Sequence, residues 1–183
     1  MNIRMLCLAI LHRGDATGYE IRKLSTEGQF GHFVDASYGS IYPALAKLES
    51  DGLVTVREES HPGKPARKIY SLAAAGRETF AGALIEPPAH DTYRSEFLLI
   101  AMFAELVDPQ HMKQVIDARV EHVKAELTHM REMQSCCDHP GTSWTINYGM
   151  AVFKASLDHL EKHRKELENV AGSAAIAPPI AAE

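Results

Sequence analysis

The sequence predicts a mainly α-helical fold in two parts: an N-terminal winged helix-turn-helix of three helices plus a two-stranded wing, then an all-α antiparallel hairpin. Three observations predict it. Short apolar segments at helical spacing precede Gly52, two alternating stretches flank a tip containing Pro and Gly, and two long apolar heptad runs occupy the second half. The 183 residues, 45% hydrophobic and 23% charged, suffice for one core or two small ones. The expected divisions are residues 1–85, a linker at 86–92, a helical part at 93–170 and a disordered tail at 171–183.

Asn2 to His12 places Ile3, Leu6, Ile10 and Leu11 on one helical face, with Arg13-Gly14-Asp15 as a stop. Thr17-Gly18-Tyr19-Glu20 is a capping box, so a second helix of about three turns is expected to end near Gly28. Between Ser37 and Asp51, Ile41, Leu45 and Leu48 share a face and Gly52 ends a third helix. Pro43 belongs in or near the first turn, where its missing amide does no harm, which makes Ser37 or Ser40 the cap. Leu53 to Glu58 and Arg67 to Leu72 then alternate as strands around a basic tip containing Pro62, Gly63 and Pro65.

Ala74 to Ile85 reads as one more helix, and Glu86-Pro87-Pro88-Ala89-His90 breaks the chain as a linker and natural hinge. Ser95 to Leu106 is apolar over Phe97, Leu98, Ile100, Ala101 and Phe103 and is expected to be largely buried. Asp108-Pro109 opens a long helix with Ile116, Val120, Val123, Leu127 and Met130 at spacings of four and three. After a break at Cys136 to Ser143, the residues Ile146, Met150, Phe153, Leu157, Leu160 and Leu167 repeat the pattern, so the two helices should close a hairpin.

Charge and cysteine usage narrow the function. The net charge of −5 is uneven: residues 1–80 hold ten Lys and Arg against nine Asp and Glu, while the remainder holds nine against fifteen. A balance of +1 followed by −6 permits nucleic-acid binding by the first part only, and where the cations sit must decide. Three cysteines, two of them adjacent, make no disulfide framework and suit a reducing compartment. No apolar stretch approaches the ~18 residues of a membrane span, so a cytoplasmic protein with no membrane partner is expected.

The second helix of such a motif lies in the DNA major groove and meets base edges near its N-terminus. That end carries Tyr38, Ser40 and Tyr42, turned outward if Ile41 and Leu45 face the core, and Lys47 a turn later suits a phosphate. Tyr19 on the preceding helix completes this set. The alternative is that Tyr38 or Tyr42 packs around the helix. The tip Gly63-Lys64-Pro65-Ala66-Arg67-Lys68 offers Lys64, Arg67 and Lys68 to the phosphate backbone, unless it is an ordinary solvated turn.

An ordered set of short runs carries a family resemblance: Gly18-Tyr19-Glu20-Ile21, Ser37 to Leu45, Leu48 to Val54, Gly63-Lys64-Pro65, Lys68 to Leu72, and Ala75-Gly76. Over roughly the first 80 residues the chain resembles the PadR family of bacterial transcriptional regulators, the Tyr-x-x-Ile-Tyr-Pro segment most of all. The resemblance implies a homodimer bound to a double-stranded DNA operator, usually a repressor, which leaves DNA when an effector binds. It also implies DNA contacts at Tyr38, Ser40, Tyr42, Lys47 and the wing residues. The second half resembles the longer members in layout only. Its heptad residues Val123, Leu127, Phe153 and Leu157 are expected in a subunit interface or closing the hairpin within one chain. A small-molecule effector is expected near Phe103 or Trp144, although Trp144, Tyr148 and Phe153 equally suit a dimer core.

Other readings stay open at this level. Within the class, an activator or a ligand-independent regulator fits the same residues, and outside it a protein-interaction module does. Cys136-Cys137-Asp138-His139 can be read as a soft-metal or redox site or as a hairpin turn, and an enzyme with a Cys nucleophile lacks an oxyanion donor or orienting acid. His159 and His163, four apart, can share a metal or lie on a solvated face. No cofactor is expected.

Overall fold

The computed structural model describes residues 2–26, 30, 38–60, 66–91 and 93–173. The chain divides into two compact units, 1–91 and 92–183. In the first, helix α1 (Ile3–Arg13) is capped by Asn2, whose side-chain oxygen accepts from the Met5 amide at 3.0 Å. Its buried residues Leu6, Cys7, Leu8, Ile10 and Leu11 form the centre of the core. Burial pushes the Cys7 thiol up to about 12, so it behaves there as a small apolar group.

A two-residue strand, β1 (Ala16–Thr17), leads into α2 (Gly18–Thr26). The capping box forms as the residues dictate: the Glu20 amide donates to Thr17 Oγ1 at 3.2 Å, and the Thr17 amide to Glu20 Oε2 at 2.7 Å. Helix α2 is nine residues long and its last turn is at Thr26, while the expected stop at Gly28 lies outside the described residues. Helix α3 (Tyr38–Ser50) buries Ile41, Leu45 and Leu48 completely and ends at Gly52, whose φ of 68° is the left-handed conformation glycine adopts freely.

Two expectations for α3 are corrected. Ser40 is its third residue and therefore not the cap, and Ser37 lies outside the described residues. Pro43 sits in the second turn, so the Gly39 carbonyl has no amide to accept from four residues on.

The ribbon β2 (Val54–Glu59) and β3 (Arg67–Leu72) is antiparallel, from Val54 opposite Leu72 to Glu59 opposite Arg67. The two-stranded ribbon is extended by an unexpected strand: β1 adds to the other edge of β3, Ala16 opposite Tyr70, giving the sheet order β1-β3-β2. A run of two residues carries no alternation to read. Arg67 and Lys68, named with the tip, open β3 where the alternation of Arg67 to Leu72 places a strand, and Pro62, Gly63, Lys64 and Pro65 lie outside the described residues. Helix α4 (Ala74–Ala83) closes the unit by packing on α1.

The second unit begins with α5 (Glu96–Met102), capped by Ser95, and a 3₁₀ turn at Ala104–Leu106. The expectation of burial is overturned here. No α5 residue is buried, and Leu98, Leu99, Met102, Phe103 and Leu106 are exposed. The segment is apolar on every side, whereas the hairpin covers only the side carrying Phe97 and Ala104.

Asp108 caps α6 (Pro109–Ser135), accepting from the Gln110 and His111 amides at 2.9 and 3.0 Å with Pro109 in the first turn. Helix α7 (Pro140–Val170) returns antiparallel: Asp117 near the start of α6 pairs with Arg164 near the end of α7, and Gln134 donates to Ser143 at the other end. The break is shorter than predicted, because His139 caps α7 through Nδ1 and Pro140 occupies its first turn. Ala171, assigned to the tail, is buried against the hairpin; residues 174–183 lie outside the described residues.

Candidate nucleic-acid interface

Because Ile41, Ala44, Leu45 and Leu48 turn inward, helical geometry turns Gly39, Tyr42, Pro43, Ala46 and Lys47 outward. Tyr42 is 43% exposed, a large aromatic ring held at the surface by a helix whose other face is core. Its neighbours come from distant sequence. A methyl placed on Gly18, the first residue of α2, would meet Tyr42 Cε1 at 2.8 Å. Burial raises the Tyr70 phenol above its ordinary pKa, and the proximity of Glu49 and Tyr42 adds to the shift. The ring of Tyr42 therefore lies against the start of α2.

Tyr19, one residue along α2, is 58% exposed and carries the Arg22 guanidinium 5.1 Å above its ring. Arg67 lies close enough to Glu20 to help lower its carboxyl pKa, after the larger effects of the Thr17 amide and hydroxyl. The structure thus gathers Tyr19, Tyr42 and Arg67 around the N-terminus of α2. Ser40 is half-buried on α3. Tyr38 supplies the first helical residue of α3, its side chain lying outside the described residues, as does all of Lys64.

Lys47 is less free than its sequence position suggests. Lys47 Nζ is 2.7 Å from Asp51 Oδ1, and Arg4 grips the other carboxylate oxygen. The hydrogen bond from Lys47 is the main reason the Asp51 carboxyl sits below its usual range. Lys68 and Arg67 face Glu58 and Glu59 across the ribbon. The Lys47–Asp51 and Arg4–Asp51 pairs lie at the surface, so each is a weak tie that a phosphate can displace. Sequence reading missed Arg4, Arg22 and Gly18; only the Gly18-Tyr19 dipeptide hinted at the last.

In the second unit Val123 and Leu127 are 0% and 5% exposed inside the α6–α7 hairpin, with Phe153 and Leu157 half-buried against them. The alternative of a hairpin closed within one chain accounts for the first two. Phe103 and Trp144 are exposed, Trp144 stacking on Tyr148 at 5.7 Å. A cleft of about 350 Å³ lies elsewhere, between Phe97, Leu98 and Ala101 of α5, Ile116 of α6, and His159, His163, Arg164 and Leu167 of α7. His159 and His163 stack at 4.6 Å, and His163 Nδ1 reaches Glu166 at 2.8 Å. Among the described residues no three His, Cys, Asp or Glu are placed to hold a metal, and all three cysteines are unbridged. No helix among them is long and apolar enough to cross a membrane.

Residues 7–82 match the "Transcriptional regulator PadR-like family". The "Negative transcriptional regulator PadR" of Bacillus subtilis (strain 168) is 28% identical over 130 residues, 70% of this chain and 71% of that protein. The crystal structure of smu.1604c from Streptococcus mutans UA159 superposes with a TM-score of 0.81 at 28% identity, covering 90% of this chain and 99% of the other. That of the PadR-like transcriptional regulator BC1756 from Bacillus cereus gives 0.76 at 29%, covering 92% and 99%. The Bacillus subtilis regulator solved in complex with operator DNA gives 0.75 at 24%, covering 90% and 98%, a likeness of fold.

Proposed function

We propose that the chain, whose residues 7–82 match the PadR-like family of transcriptional regulators, is a regulator of that family, a homodimeric repressor which binds operator DNA through α3 and its wing and is released by a small-molecule effector. The observation that carries the reading is Tyr42, exposed on the face of α3 opposite its buried residues and lying against the start of α2. Such a helix presents an aromatic and hydroxyl surface to a groove while Lys47, Arg67 and Lys68 serve the phosphates. Repression follows the Bacillus relative described as a negative regulator, and DNA binding follows the neighbour solved with its operator. A regulator of this kind works in the cytoplasm.

The surface we assign to a second copy is α5 together with the outward face of α7, not Val123 or Leu127. Leu98, Leu99, Met102 and Phe103 on one, and Trp144, Tyr148 and Val152 on the other, are large apolar side chains left exposed, the kind of surface that a partner covers. The effector we place in the α5–α6–α7 cleft, whose walls are apolar and whose polar groups converge at His163 and Arg164.

The test is a gel shift with the DNA upstream of the chain's own coding region. Retardation that survives excess random-sequence DNA supports the reading, and retardation abolished by that competitor contradicts it.

A further inference from the structure

Gly18 is buried at the first position of α2, yet its backbone does not need a glycine, since only Gly14, Gly52 and Gly172 have positive φ among the described residues. Glycine in a helix is also less favourable than alanine by up to about 1 kcal/mol. What the position lacks is space. A methyl there would lie 2.8 Å from Cε1, 3.5 Å from Cδ1 and 3.6 Å from Cζ of Tyr42, whereas Gly39 on α3 and Gly82 on α4 have nothing within 4 Å. The seat is rigid from below: Thr17 pairs with Ile69 of β3 and locks Glu20 through the capping box. The ring above it is the far end of a side chain and can swing.

We propose that Gly18 is a positioning residue for DNA reading, its missing side chain forming the seat that holds the Tyr42 ring at the surface of α3. The proposal rests on the reading that Tyr42 meets DNA. Alanine at position 18 displaces the ring, not the backbone, so the fold survives and the presentation of the reader does not.

The experiment compares full-length wild type, Gly18→Ala, Tyr42→Ala and the double variant, using the DNA fragment that the wild type retards and a scrambled copy. Tyrosine-labelled NMR spectra and thermal melts are recorded beside the titrations. We expect Gly18→Ala to melt at or above the wild-type temperature and to shift the Tyr42 ring resonance among the six tyrosines. It should weaken specific binding at least about fivefold and cost nothing further once Tyr42 is alanine. An unmoved ring, a moved ring with unchanged affinity, an equal loss in the Tyr42→Ala background, or loss of the fold would each overturn the proposal. If the wild type itself does not distinguish the fragment from the scrambled copy, DNA reading fails, and the ring resonance still decides whether Gly18 seats Tyr42.

Discussion

Gly76→Ala and Gly82→Ala, the same substitution on one helix, should change stability in opposite directions. Both lie in α4, and both lose the entropic penalty of glycine. Gly76 is buried where α4 crosses the start of the wing: a methyl would come within 2.1 Å of the Leu53 carbonyl oxygen and 2.8 Å of Leu72 Cδ1. That oxygen is fixed, because it accepts from the Ala73 amide at 3.1 Å while the Leu53 amide is held by Leu48 at 2.9 Å. Overpacking of this kind costs about 1–3 kcal/mol, and loss of the Ala73 bond adds about 1 kcal/mol. The gain in helix propensity offsets at most about 1 kcal/mol, so Gly76→Ala should destabilise by about 1–3 kcal/mol. Gly82 has open space around it and should gain about 0.5 kcal/mol. Urea unfolding of the full chain, followed by circular dichroism at 222 nm, reads both as midpoint shifts of opposite sign. Coincident midpoints, or a Gly76→Ala variant as stable as the wild type, would refute the packing argument.

Leu127→Ala should weaken the hairpin by about 2–5 kcal/mol, whereas Trp144→Ala should leave protomer stability unaltered and shift the sedimentation of the intact protein toward the monomer. The reverse pattern would return Leu127 to the subunit interface. The Glu20 carboxyl is held below its ordinary pKa mainly by the Thr17 amide, so its contribution is complete above the unfolded value of about 4.3 and is lost as pH falls through the lower folded value. Acid unfolding of Glu20→Gln should therefore be flatter in that window, and Thr17→Ala should cost about 1 kcal/mol at neutral pH; parallel acid curves for wild type and Glu20→Gln would count against the capping box.

What could be read from the residues was what local chemistry dictates. Thr17 and Glu20 three apart must cap, Asp108-Pro109 must start a helix, and Ile116, Val120, Val123, Leu127 and Met130 must share a face. What could not be read depends on residues far apart in sequence. Arg4 meets Asp51 across 47 residues, β1 exists only because β3 lies beside it, and the partner of Gly18 is on another helix. Segment Ser95 to Leu106 shows the limit most plainly. Its apolarity predicts a cover, but composition cannot say whether the same chain supplies it, and this chain leaves Leu98, Leu99, Met102, Phe103 and Leu106 exposed.

The most direct measurement of the central claim is fluorescence anisotropy of the retarded fragment and its scrambled copy with wild type and Tyr42→Ala, the folding of each checked by circular dichroism. The account predicts that wild type prefers the fragment by at least about a thousandfold. It further predicts that Tyr42→Ala weakens that binding by more than about 1 kcal/mol while barely changing affinity for the scrambled copy. Equal affinity of the two proteins for the fragment, or an equal loss on both DNAs, would contradict the assignment of α3 as the reading helix.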